Sequence, residues 1–187
     1  EAVLLGGGYG RGEGGVLRDG AGDWPYNDLE FYVLVRGNRH LNEARYRRPL
    51  EVLGEILAHF AGIEVEFKLT SLAEFQAQPV SMFSYDLFAG HRRLWGDARS
   101  LATCAHHLCA DRIPIAEATR LLMNRGTGLM FARAKLAADP LAPGDDDFIH
   151  RNIAKAALAC GDAVLVARGL YHWSCRERHH RLDRLAA

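Results

Sequence analysis

Gly6-Gly-Gly-Tyr-Gly-Arg-Gly-Glu-Gly-Gly15, followed by Asp28-Leu-Glu-Phe-Tyr-Val-Leu-Val35, decides how this chain is read. An apolar, strand-like run at residues 2–5 precedes the glycines. Eight of the nineteen glycines lie between Gly6 and Gly20, with no serine or proline to make that stretch a linker. A glycine-rich turn after a strand lets backbone N–H groups crowd against an anion such as a triphosphate. Residues two apart on a strand point the same way, so Asp28 and Glu30 project together, and Leu29, Phe31, Val33 and Val35 are expected to face the core. Acids spaced in this way usually form only the wet face of a strand. Beside a phosphate-cradling turn they make a site for Mg²⁺ held through carboxylate and phosphate oxygens. Residues 63–69 (IEVEFKL) alternate apolar and charged, as a half-buried strand does. They offer a third carboxylate, Glu66, with Glu64 as the substitute, to complete a two-metal clamp for in-line displacement at phosphorus.

A dinucleotide site competes for the same glycines, since Gly10, Gly12 and Gly15 fit G-x-G-x-x-G. That fingerprint must open a helix, yet residues 16–27 contain Gly20, Gly22 and Pro25 and no helical stripe. Its ribose-binding acid should close the second strand, whereas Asp28 and Glu30 open it. The dinucleotide reading is rejected.

Further out, residues 41–61 have helical composition with Pro49 as an expected interruption. Ser71 and Glu74 form the pattern of a capping box. After about residue 95 the composition becomes helical. An apolar stripe runs from Ile115 to Leu136, with Pro114 before it and Pro140 and Pro143 after it. A second stripe begins at Asp145–Asp147, where acids suit the positive end of the helix dipole. A third, more basic helix is expected over 171–185. The expectation is an α/β (α+β) domain with a mixed sheet at residues 1–97, followed by an all-α helical domain at 98–187.

Composition bounds the rest. Apolar residues make up 49% of the 187 and charged residues 25%, which is ordinary for a globular chain. Lys+Arg and Asp+Glu are both 23, so there is no bulk attraction for polyanions, and nucleic acid is disfavoured as a partner. Four cysteines do not make a disulfide framework, and no apolar run approaches the roughly 20 residues of a membrane span. The chain opens on its first strand-like run, so no leader is expected, and a cytoplasmic, reducing location fits.

Several residues are ordinary unless a site recruits them. Arg11 can reach a phosphate oxygen or simply decorate a turn. His150, Arg151 and Lys155 lie on the second long helix, and Lys155 is the preferred cation to close over the β- and γ-phosphates. Gly126 and Gly128 inside a helix cost about 1 kcal/mol each relative to alanine, which close packing would offset. Cys104-Ala-His-His-Leu-Cys109 lacks a second ligand pair, so buried thiols beside ordinary histidines are expected rather than zinc.

The wording Gly7-Gly-Tyr-Gly-Arg-Gly-Glu13, followed by Asn27-Asp-Leu-Glu30, resembles the DNA-polymerase-β-like nucleotidyltransferases and is closest to the bacterial uridylyltransferases of nitrogen regulation. Residues 85–97 (YDLFAGHRRLWGD) also look like the last strand and turn of such domains. The stretch from Gly8 to Asp28 is longer than is usual there, with an insert around 18–26. The resemblance implies the nucleotidyltransferase fold with a helical domain behind it. It implies transfer of a nucleoside monophosphate from a Mg-NTP, ATP foremost, to a hydroxyl on a small molecule or a protein. It places the triphosphate on Gly7 and Gly8, and Tyr9, Arg11 and Lys155 are further candidates to contact the nucleotide. It places two Mg²⁺ ions on Asp28, Glu30 and Glu66, with Glu66 also the base. A nucleotide-binding module without turnover and an antitoxin-type adenylyltransferase acting on protein are the alternatives.

Overall fold

The computed structural model describes residues 1–20, 22–138 and 140–186, with Asp19 described by its backbone only. Ala21, inside the expected insert, lies outside them. The chain forms two compact units, Glu1–Cys109 and Ala110–Ala187.

The first unit is mixed α/β. Strand β1 (Ala2–Leu5) leads into a helical turn α1 (Gly7–Gly10), a hairpin β2 (Val16–Asp19) and β3 (Gly22–Pro25), and strand β4 (Leu29–Val35). Helix α2 (Arg39–Ala61) crosses to β5 (Val65–Ser71), and α3 (Leu72–Ala77), α4 (Met82–Gly90) and β6 (Arg92–Gly96) follow. The sheet order is β5-β4-β1-β6, with β4 and β5 parallel and both neighbours of β1 antiparallel to it. The expected insert is the β2–β3 hairpin. A 3₁₀ segment, Ala98–Leu108, closes the unit, so residues beyond 97 still pack with the α/β part.

The buried face of β4 is not the one the alternation suggested. Tyr32 and Leu34 are buried, whereas Leu29, Phe31, Val33 and Val35 are only half-buried. Strand β1 lays Ala2 beside Leu34 and Leu4 beside Tyr32, and Leu72, Phe75, Leu87 and Phe88 from α3 and α4 pack on this same face. The other face carries Phe31 stacked on Phe67, and α2 packs along β5. Glu30 therefore sits at the open end of the core face, with Tyr32 next to it on the strand.

Pro49 does not interrupt α2, which runs unbroken through it. Its ring removes one backbone bond, and on this exposed side water can solvate the freed carbonyl. The helix is fixed at its ends instead. Asn38 accepts from the amides of His40 (2.9 Å) and Leu41 (3.2 Å), and Gly62 closes it at φ 69°. Ser71 does precede α3, but its side chain makes no capping bond. The reciprocal capping box is Ser81 with Ser84, at the start of α4. Residues 85–90 belong to α4, and only 92–96 of the expected final strand is strand.

The second unit is helical: α5 (Ile115–Leu136), α6 (Asp145–Ala167) and α7 (Cys175–Ala186). A Cβ on Gly128 would lie 2.3 Å from Asn152 Oδ1, so this glycine lets α5 approach α6 closely. Gly161 does the same for Leu182 of α7. The buried Arg178 pairs with Asp162 at 3.0 Å and donates to the Tyr171 hydroxyl at 2.6 Å. Tyr171 thus belongs to the packing before α7 rather than to the helix. No helix among the described residues is long and apolar enough to cross a membrane.

Candidate metal and phosphate site

The parallel register of β4 and β5 sets Glu30 beside Glu66 and Tyr32 beside Lys68. Asp28, one step before β4, joins them, and one carboxylate oxygen from each of Asp28, Glu30 and Glu66 lies within 4.8 Å of the others. This is the one group of three or more His, Cys, Asp or Glu placed to share an ion among the described residues. Glu66, not Glu64, supplies the third oxygen. Mg²⁺ binds oxygens at about 2.0–2.1 Å and keeps several waters, so hard donors this close suit it after small side-chain rotations.

The glycine turn meets the acids directly. The Gly6 amide donates to the Glu30 carbonyl at 2.8 Å, tying the turn to the start of β4. Gly7 has φ +59°, and a Cβ there would lie 2.7 Å from Glu30 Oε2. The left-handed backbone favours glycine, and a side chain here would require the Glu30 carboxylate to move. The amides of Gly7, Gly8 and Tyr9 open a helical turn, where no acceptor stands one turn back.

The loop is closed by its own side chains. The Tyr9 hydroxyl donates to the Gly15 carbonyl (2.6 Å) and accepts from the amides of Tyr26 (2.9 Å) and Asn27 (3.3 Å). Asn27 Oδ1 accepts from the Gly15 amide at 2.7 Å. Tyr9 thus spans the loop, while its place in the sequence motif suggested contact with the nucleotide. Arg11 pairs with Glu13 at 3.7 Å, and its buried Nε makes no hydrogen bond among the described residues. It borders a cavity of about 280 Å³ with Gly7, Glu30, Tyr32 and Lys68 on one side and Phe83, Asp86 and Leu87 of α4 on the other. Lys155 is exposed on α6, in the second unit.

Lys68 is the residue that sequence reading passed over. Its ammonium bonds Glu30 Oε1 and lies 3.0 Å from Glu66 Oε2. It also stands 5.6 Å from the centre of the Tyr32 ring. Burial pulls the Lys68 pKa down, but its bonds to the two carboxylates outweigh burial and hold it above its ordinary value. Burial, with the Glu30 charge adding to it, pushes the Tyr32 hydroxyl up to about 12, so it stays a neutral phenol. The rule that paired Asp28 with Glu30 also places Lys68 beside Glu66, and this was the signal available in the sequence.

Cys104 is buried in the core of the first unit, and the buried His107 has Nε2 2.7 Å from the Phe75 carbonyl oxygen. Of the two thiols expected to be buried here, Cys104 is and Cys109 is only half-buried. Comparison with protein-family models, with curated proteins and with solved structures found no match for the chain.

Proposed function

We propose that this chain is a divalent-metal-dependent nucleotidyltransferase that moves a nucleoside monophosphate from an NTP, with ATP foremost, to an acceptor hydroxyl on a small molecule or protein. One observation carries the reading: Gly7, held in the left-handed region, packs directly against the Glu30 carboxylate, and Glu30 converges with Asp28 and Glu66. A phosphate-sized anion on the turn and a cation on the acids would then be neighbours, which is what phosphoryl chemistry requires.

Asp28, Glu30 and Glu66 would hold the metal, expected as two Mg²⁺ ions. Bound there, Mg²⁺ would neutralise phosphate charge and make the α-phosphorus more electrophilic. The amides of Gly7 and Gly8 hold the β- and γ-phosphates, and Arg11 borders the same cavity. Glu66 takes the proton of the acceptor hydroxyl. The acceptor oxygen bonds to the α-phosphorus, and the bond to the bridging oxygen breaks, releasing pyrophosphate. The chain's contribution is positioning and charge neutralisation.

The test is incubation with α-labelled NTPs, Mg²⁺ or Mn²⁺ and a panel of hydroxyl acceptors, alongside Asp28→Asn. Label transfer and pyrophosphate release should fall by about 100-fold or more in the variant. Transfer that survives Asp28→Asn refutes the metal assignment. NTP binding without turnover across the panel points to the binding module instead.

A further inference from the structure

Two carboxylates of the cluster already share a cation. Lys68 Nζ bonds Glu30 and sits 3.0 Å from Glu66, so it lies between the two acids that a pair of divalent ions would have to share. Its position follows from the sheet. Lys68 lies two residues beyond Glu66 on β5 and pairs with Tyr32 on β4, so its stem starts one step along the same face and its tip reaches back to the acids. The Tyr32 ring, buried and packed against Phe83, stands beside the ammonium.

Charge points the same way as distance. Three carboxylates against one ammonium leave two negative charges, which a single divalent ion neutralises. A second divalent ion would have to enter beside a standing ammonium, against Coulomb repulsion in a half-buried site. The ammonium also borders the cavity shared by Gly7 and Arg11, where it can donate to a phosphate oxygen as a compact point charge.

We propose that Lys68 is a resident cation of this site: its ammonium stands where a second divalent ion would otherwise sit, and the site takes one ion per chain. The inference rests on the metal reading above and refines its ion count.

Mn²⁺ binding to the full chain, followed by the electron-paramagnetic signal of free Mn²⁺ and by calorimetry, tests it without any turnover. Wild type and Lys68→Arg, which keeps the charge, should bind one Mn²⁺. Lys68→Met should bind two, and Lys68→Gln provides the same test in a polar, uncharged form. Two Mn²⁺ in wild type, or a single Mn²⁺ in both uncharged variants, overturns the inference. Asp28→Asn separates the two readings. If it abolishes binding while wild type holds two ions, the metal site stands and only the role of Lys68 falls. If neither wild type nor the Lys68 variants bind Mn²⁺, the metal reading falls, and the inference with it.

Discussion

Gly7→Ala is the most informative single change in the first unit. Gly7 has φ +59°, and forcing an L-residue into the left-handed region costs about 1–2 kcal/mol. The new methyl would also lie 2.7 Å from Glu30 Oε2, well inside van der Waals contact. The flexible Glu30 side chain can swing away, so the collision should be relieved mainly by moving that carboxylate out of the cluster. Gly12 supplies the control. It has φ +70° with nothing within 4 Å of its ideal Cβ, so Gly12→Ala carries the backbone strain alone. Urea unfolding should show both variants destabilised by about 1–2 kcal/mol. Mn²⁺ titration should separate them. Gly12→Ala should bind as wild type does, and Gly7→Ala should weaken by about tenfold or more as Glu30 leaves. Equal stability losses with equal Mn²⁺ binding would refute the argument that the close contact of Gly7 places Glu30.

Two other perturbations follow from the same geometry. Tyr9→Phe removes a hydroxyl that serves one carbonyl and two amides, and should destabilise the loop by about 1–3 kcal/mol; an unchanged urea midpoint shows that these bonds do not hold it. His107 concerns pH. Burial holds its imidazole below the ordinary range, and a lesser effect of His106 adds to this against the Phe75 carbonyl. The folded pKa is therefore the lower one, so as pH falls the unfolded chain takes up the proton first. The stabilisation is complete above the unfolded value of about 6.5 and is lost as pH drops from there toward the folded value. The urea midpoint should fall between about pH 7.5 and about pH 5.5, and His107→Gln should flatten part of that slope. The remainder is expected from His172, which burial also depresses. A midpoint indifferent to pH in this window contradicts the assignment.

The structure places these elements much as local pattern suggested where the pattern is strong. The stripe beginning at Ile115 and the acids at Asp145 begin the helices α5 and α6, and the run at residues 2–5 forms β1. Pattern failed where neighbours decide. Ser71 has the right partner residue for a capping box and makes no capping bond, while Ser81 and Ser84 make one. Pro49 fits inside a helix anchored by Asn38 and Gly62. The 3₁₀ segment stays with the first unit because it packs on α4, including Phe88 stacked on His107.

At the candidate site the division is sharper. That Asp28 and Glu30 lie together at the start of a strand, with a glycine turn before them, is legible from local pattern, because a strand repeats every two residues and glycine best tolerates such crowding. The packing of the whole unit makes Tyr32 and Leu34, on the side of the acids, the buried residues of β4, since burial depends on what α3 and α4 bring to that face. It also chose Glu66 over Glu64, because the register of two parallel strands is a property of the pair and neither strand carries it alone. Lys68 came with that register: the pairing that sets Glu66 beside Glu30 sets its ammonium between them.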